Sequence, residues 1–265
     1  MEAAISVVGC CYNRSENVRK WLESLAQQTC ANITEVVLVD YRSTDGLDKV
    51  LKESPLRVSV YTVTKQGPEP GFPEAFLKNV GIRRARGDVV LSTNVDVVYE
   101  PSFVEKITSR CGPGVLVQAV RKNAQRDVQV NIDATTVPPD SVKSMCNDFS
   151  LETGVPLVAG ADCQAMTRQF WHMFQGYDED LYGWGALDSD LTCRAVLWGM
   201  TVIIVGHRAA SYTHEWHDFS MEKQIEAAQR NHPIIMGKIN SGTVLRNGAS
   251  WGGFNNGSDG EARGL

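Results

Sequence analysis

Short apolar runs and amphipathic stretches alternate along the chain. Ala4-Ile-Ser-Val-Val-Gly-Cys-Cys11 is apolar almost throughout and rich in β-branched residues, the pattern of a strand buried on both faces, and the polar Tyr12-Asn-Arg-Ser ends it. From Ser15 the period changes: Val18, Trp21, Leu22 and Leu25 share one face of a helix. Glu35-Val-Val-Leu-Val-Asp40 predicts a second buried strand, closed by the turn Ser43-Thr-Asp-Gly46. A helix from about Leu47 to Glu53 and a strand from Leu56 to Val63 complete a βαβαβ start. Strands alternating with helices in this way imply parallel pairing and a doubly wound α/β sheet.

The pattern continues with irregular interruptions. Gln66-Gly-Pro-Glu-Pro-Gly-Phe-Pro73 is a loop, Pro73 opens a helix that stops at Gly87, and Asp88-Val-Val-Leu-Ser-Thr-Asn-Val-Asp96 predicts a fourth strand. Val115 to Val120 and Thr201 to Val205 predict two more. Between them Leu187, Leu191, Ala195, Val196 and Trp198 recur at helical spacing, with Gly199 as a stop, and a further helix is expected from Glu222 to Gln229. The stretch from Pro101 to about Thr153 is the least patterned. From Asn240 onward Gly, Ser and Asn predominate, so residues 241–265 are expected to form a flexible tail.

Composition narrows the choice of function. With 265 residues the chain suffices for one large α/β domain, and a net charge of −5 gives no electrostatic case for general nucleic-acid binding. No apolar run approaches the ~18 residues of a transmembrane segment, and the amino terminus lacks the basic region of a signal peptide, so the expected location is cytoplasmic. Seven cysteines without C-x-x-C spacing predict reduced thiols rather than a disulfide framework or zinc site. No G-x-G-x-x-G follows the first strand and no P-loop occurs, which argues against a dinucleotide oxidoreductase or a P-loop NTPase.

Open α/β sheets bind ligands beyond the carboxyl ends of their strands, where Asn13, Asp40 and Asp45 fall. Asp40 there suits hydrogen bonding to a ribose or a nucleobase edge, while Asp45, in Thr-Asp-Gly, suits organising its turn. Lys78 and Arg83, on the helix after Pro73, are candidate diphosphate partners, with a solvated helix face as the alternative. Asn94 and Asp96, two residues apart at a predicted strand end, would face one way and present oxygens to a hard divalent cation. In Leu181-Tyr-Gly-Trp-Gly-Ala-Leu-Asp-Ser-Asp-Leu191 a tryptophan between two glycines precedes two carboxylates at a helix start. Trp184 and Gly185 suit packing against a sugar face, and Asp188 suits removal of a hydroxyl proton, with Asp190 beside it. Asp188 or Ser189 as a helix cap is the alternative reading. His214 and His217, three apart, add imidazoles that favour Mn(II) over Mg(II) in a mixed site.

Several of these motifs resemble known families. Tyr12-Asn13-Arg14, Val39-Asp40 and Ser43-Thr-Asp-Gly46 resemble the nucleotide-binding half of family 2 glycosyltransferases. Gly176-Tyr-Asp-Glu-Asp-Leu-Tyr-Gly-Trp-Gly-Ala-Leu-Asp-Ser-Asp-Leu191 resembles the Gly-Trp-Gly-Gly-Glu-Asp-Asp-Asp block of family 7 β-1,4-galactosyltransferases and their chondroitin-synthase relatives, and Phe72 to Gly81 resembles another segment of that family. The chain has Leu187 where family 7 has an acceptor-binding glutamate, and Asn94 in place of the first aspartate of a DxD pair. The resemblance implies a GT-A fold: one domain over residues 1–240, with a nucleotide-sugar half to about residue 100 and an acceptor half after it. It further implies an inverting transfer from a UDP-sugar to the hydroxyl of a glycan or other acceptor. Asp188 would be the base, Asp40 a contact to the nucleotide base, and Asp96, His214 and His217 the ligands of Mn(II), with Mg(II) as the alternative. Without the secretory apparatus of the animal enzymes, a bacterial or viral cytosolic origin is expected. A catalytically weakened binding module and a nucleotidyltransferase are the competing readings.

Overall fold

The computed structural model describes residues 3–64, 72–120, 122–123, 133–137, 163–181, 183, 186–215, 221–253 and 260–264. The first strands form as their apolar runs demand. β1 (Ile5–Cys11) is buried along its whole length, β2 (Ile33–Asp40) over its second half, and β3 (Val58–Val63) and β4 (Val89–Thr93) flank them. β1 pairs in parallel with β2 and β4, and β2 with β3. β9 (Cys163–Thr167) runs antiparallel between β4 and β6 (Val115–Ala119), which restores the common direction for β6 and for β10 (Thr201–Val205) beside it. With β8 (Ala134–Thr136) and β12 (Gly260–Gly264) at its edges, the sheet has nine strands in the order β12-β3-β2-β1-β4-β9-β6-β10-β8.

Alternate residues of each strand feed two cores, as the two-residue period of a strand requires. Val8, Val37, Val90, Leu116 and Val202 face α3 (Glu74–Arg84), α5 (Arg168–Phe174), α6 (Leu187–Leu197) and α7 (Met221–Asn240). Val7, Leu38, Leu91 and Val117 face α1 (Ser15–Ala26), α2 (Leu47–Lys52) and α4 (Phe103–Thr108). On α1 the expected stripe is buried, Val18 and Trp21 completely, while Arg19 pairs with Glu16 and Glu23 on the outer face.

Three elements depart from the sequence expectation. β4 ends at Thr93, so Asn94, Val95 and Asp96 form a bend rather than a strand end. The chain there leaves the main sheet for β5 (Val97–Tyr99), which joins β11 (Tyr212–His214) and β7 (Lys122–Asn123) in a second, three-stranded sheet. The last helix is far longer than the expected Glu222 to Gln229, continuing through Pro233 to Asn240. The expected flexible tail is built into the fold: Trp251 is buried in the core, and Gly260 to Gly264 pair antiparallel with β3. Among the described residues no helix is long and apolar enough to cross a membrane.

Candidate active site

The parallel strands deliver the first group of residues to one edge of the sheet. Asn13, directly after β1, adopts a left-handed backbone (φ 49°), which asparagine tolerates better than most residues. Its Oδ1 accepts the Thr44 N–H at 2.8 Å, and its own N–H donates to Ser43 Oγ at 2.9 Å. Asn13 thus ties the loop after β1 to the loop after β2. Asp45 does the same from the other side, accepting the Ser15 N–H at 2.7 Å. Asp40 ends β2 almost buried; Oδ1 accepts the Ser43 N–H at 3.0 Å, and burial raises its pKa above the usual carboxylate value despite that bond. Tyr12 stands exposed next to it, edge-on to Tyr41 at a centroid distance of 5.8 Å.

The bend after β4 brings Asp96 to β11. The backbone N–H of Glu215 donates to the Asp96 carbonyl at 2.7 Å, and His214 Nε2 lies 3.5 Å from Asp96 Oδ2. A carboxylate oxygen and an imidazole nitrogen at that separation fit two ligands of one small divalent cation, each bound at about 2.1 Å. The third proposed ligand, His217, lies outside the described residues, and among the described residues no group of three such side chains converges. Asn94 Oδ1 accepts a hydrogen bond from Lys78 Nζ at 2.8 Å. Lys78 is no solvated helix residue but a buried one, paired at 2.8 Å with Glu74, which is also buried. Burial opposes its charge, but Glu74 and Tyr177 outweigh that and raise the Lys78 pKa above its ordinary value.

Asp188 is half-buried in the first turn of α6. The helix starts from Ala186 in a left-handed conformation (φ 68°) without a side-chain cap, so neither Asp188 nor Ser189 has the capping role. Under it runs a buried polar layer. Gln164 Nε2 donates to the Asp188 carbonyl at 3.1 Å and to Gln118 Oε1 at 2.9 Å, while Gln164 Oε1 accepts the Tyr177 hydroxyl at 3.1 Å. Thr192 Oγ1 lies 2.8 Å from Gln118 Oε1. Burial pushes the Tyr177 hydroxyl up to about 12, so it stays a neutral donor. The Lys78 ammonium sits over the Tyr177 ring at 5.5 Å, which links the Asn94 bend to the Asp188 helix through one aromatic side chain.

Two expected site residues serve elsewhere. Asp190 is fully buried, with Oδ2 on Arg194 Nε at 2.7 Å and Oδ1 on Arg246 Nη2 at 3.1 Å, and has no surface with which to meet a sugar. Arg83 lies in the last turn of α3, at the amino ends of the strands, where Val89 N–H meets the Ala4 carbonyl. It bonds the Trp251 carbonyl and lies over that residue's ring, remote from any diphosphate at the opposite edge. Trp184 and Gly185 lie outside the described residues.

Sequence reasoning missed the residues that join the two halves. Asn79 Nδ2 donates to the Tyr177 carbonyl at 2.9 Å and to Glu179 at 2.8 Å, and its Oδ1 accepts the Tyr177 N–H at 2.8 Å. Asparagine in an otherwise apolar helical stretch, next to Lys78, was the available signal. Arg246 and Asn247 carried none.

Residues 6–129 match the family model described as glycosyl transferase family 2, and residues 143–218 the model described as N-terminal domain of galactosyltransferase. An uncharacterized glycosyltransferase of Haemophilus influenzae is 35% identical over 103 residues, covering 39% of this chain and 33% of that protein. A validoxylamine A glucosyltransferase of Streptomyces hygroscopicus subsp. jinggangensis is 23% identical over 268 residues, covering 89% of this chain and 62% of that protein. The chain therefore spans between a third and three fifths of these relatives' lengths. Among solved structures, S. aureus TarS 1-349 in complex with UDP-GlcNAc superimposes with a TM-score of 0.64 at 17% identity, covering 90% of this chain and 66% of that one. Mannosyltransferase PcManGT from Pyrobaculum calidifontis, in complex with GDP-Man and Mn2+, gives 0.62 at 16% identity, covering 91% and 65%. The fold is of the GT-A type, and the chain is similar to family 2 glycosyltransferases over residues 6–129 and to galactosyltransferases over residues 143–218.

Proposed function

We propose that the chain transfers a sugar from a nucleotide-diphosphate sugar, with UDP as the carrier, to a hydroxyl acceptor, with inversion and with Asp188 as the general base. The observation that carries this reading is convergence. Asn13 and Asp40 beyond β1 and β2, Asp96 beyond β4 and His214 on β11 lie at the carboxyl ends of the strands, and Asp188 is tied to the same region through Gln164 and Tyr177. An open α/β sheet holds a nucleotide at that edge. The TarS neighbour holds UDP-GlcNAc and PcManGT holds GDP-Man, which supports a nucleotide-sugar donor.

In this reading Asp40 and Asn13 shape the nucleoside end of the donor pocket. Asp96 and His214 are the residues placed to hold a divalent cation, joined by His217 on the sequence pattern alone; when bound, such an ion neutralises the diphosphate that leaves. PcManGT is in complex with Mn2+, which favours that metal over Mg2+. Lys78 acts indirectly, fixing Asn94 and so the bend that carries Asp96. Asp188 accepts the proton of the attacking hydroxyl as the oxygen reaches the anomeric carbon, so no covalent sugar–enzyme species is needed.

The test is a panel of nucleotide sugars with Mn(II), following nucleoside-diphosphate release, alongside Asp188→Asn and His214→Ala. Release from one UDP-sugar that requires metal and is lost in His214→Ala is the expected result. Absence of both turnover and metal-dependent UDP binding would refute the reading and favour a sugar-binding module.

A further inference from the structure

The segment after α7 grips the stretch that carries Asp188 from both sides. Before Asp188, Asn247 Nδ2 donates to the carbonyls of Gln175 and Tyr177, each at 2.6 Å, its Oδ1 accepts the Glu179 N–H at 3.0 Å, and the Gly252 N–H reaches the Glu179 carboxylate at 2.7 Å. After Asp188, Arg246 Nη2 holds Asp190 at 3.1 Å, while its Nε faces Asp178 at 3.8 Å. The Arg246 side chain has no exposure, nor do those of Asp178 and Asp190.

Asp178 and Asp190 are buried and both meet cations: Asp190 meets Arg194 and Arg246, and Lys238 Nζ lies 2.7 Å from Asp178 and 2.6 Å from the exposed Asp180. Buried carboxylates without cationic partners are strongly destabilising, so the network fixes its members in one arrangement. Arg194, on the same helix as Asp190, also reaches the Phe174 and Gly176 carbonyls at 3.4 and 3.0 Å. Arg246 comes from outside that helix and adds a second tie, between the helix start and Asp178 itself. Its planar guanidinium presents its donors in fixed directions, so the two contacts also set an orientation.

We propose that Arg246 is a positioning residue for the transfer reaction: by bridging Asp178 and Asp190 it fixes the first turn of α6 and with it the Asp188 carboxylate. This rests on Asp188 as the base, and the experiment separates the two ideas. Hydrogen exchange is measured on the full chain for wild type, Arg246→Gln, Arg246→Lys and Asn247→Ala. UDP release from the best UDP-sugar, with Mn(II) and water as acceptor, is followed over a range of donor concentrations for the same proteins and for Asp188→Asn.

Arg246→Gln is expected to exchange at least tenfold faster between residues 175 and 191 while β1 and β2 keep their protection. Its kcat should fall roughly 10- to 100-fold at unchanged donor KM, as for a displaced catalytic group. Arg246→Lys should restore part of each effect, and Asn247→Ala, which unpairs no buried charge, should give a smaller loss in the same direction. Exchange that rises uniformly over the protein, or stays at the wild-type level between 175 and 191, overturns the proposal. So does wild-type turnover in Arg246→Gln while Asp188→Asn is inactive. If Asp188→Asn keeps full turnover, the base assignment fails instead, and the exchange data alone then decide what Arg246 holds.

Discussion

The imidazole Nε2 of His214 lies 3.5 Å from Oδ2 of Asp96, and the backbone N–H of the next residue, Glu215, is bonded to the Asp96 carbonyl at 2.7 Å. Position is therefore set by main chain and chemistry by side chain. Asp96→Ala and His214→Ala should each weaken Mn(II)-dependent UDP binding at least tenfold in calorimetry, with a melting temperature close to that of wild type. Undiminished metal-dependent binding in both would show that these two side chains do not share a cation.

Asp188→Asn should leave UDP affinity within about twofold of wild type and lower transfer by roughly 10²–10⁴-fold, the usual cost of losing a general base. The backbone of Asp188, bonded to Gln164, is untouched by the change, so the helix start should persist. Steady-state kinetics with a saturating donor check this directly.

Asp40 carries a stability signature of opposite sign to a salt-bridged carboxylate. Burial raises its native pKa above the ordinary 3.8, so the folded chain holds that proton more tightly than the unfolded one. Stability contributed by the neutral form is complete below the ordinary value and is lost as pH rises through the raised one. Asp40→Asn should consequently raise Tm at pH 7 and lose that advantage below about pH 4, while UDP affinity falls about tenfold or more through loss of a hydrogen bond to a charged group. Melting curves at both pH values and a UDP titration test the two halves of this expectation.

Gly176 has φ 70°, and a Cβ built there would lie 2.0 Å from Asn79 Oδ1. Gly176→Ala must displace the Asn79 amide as well as strain the backbone, and should cost about 3 kcal/mol, a fall in Tm of roughly 6–12 °C. A wild-type melting temperature would contradict the Asn79 contact.

Trp251→Ala measures how far the glycine-rich end of the chain belongs to the core. Trp251 is 6% exposed, receives Arg83 on its carbonyl and ring, and meets His172 edge-on at 5.4 Å. Truncation should cost about 3–5 kcal/mol in denaturant unfolding, as for other buried tryptophans. A loose tail would give no change.

What the sequence disclosed follows from where the information is local. β1 and the second half of β2 are apolar runs buried on both faces, and β10 is a short β-branched run, so their own residues declare them, and Asn13 and Asp40 inherit their place from the strand ends. The bend at Asn94 was hidden because Val95 prolongs the apolar pattern of β4, while the change of sheet depends on pairing β5 with β11, more than a hundred residues later. Arg83 was misjudged by direction: in a helix that returns to start the next parallel strand, the last turn lies at the amino ends of the strands, away from the ligand edge. The Asp190–Arg194 pair, at helical spacing, was open to inspection, but Arg246 reaches Asp190 from 56 residues away and has no local signature. Composition alone spoke for a loose tail, because the partners of Asn247 lie about seventy residues back.

Asn79 gives the two family segments a common hinge pin. It lies inside the stretch matched to family 2, yet all three of its side-chain bonds go to Tyr177 and Glu179 inside the stretch matched to galactosyltransferases, and its neighbour Lys78 holds the Asn94 bend. The segments are consequently not interchangeable cassettes. A chimera that imports a different 143–218 block must bring a turn that answers this one amide in the same three places, or the two segments will fold without being in register with each other.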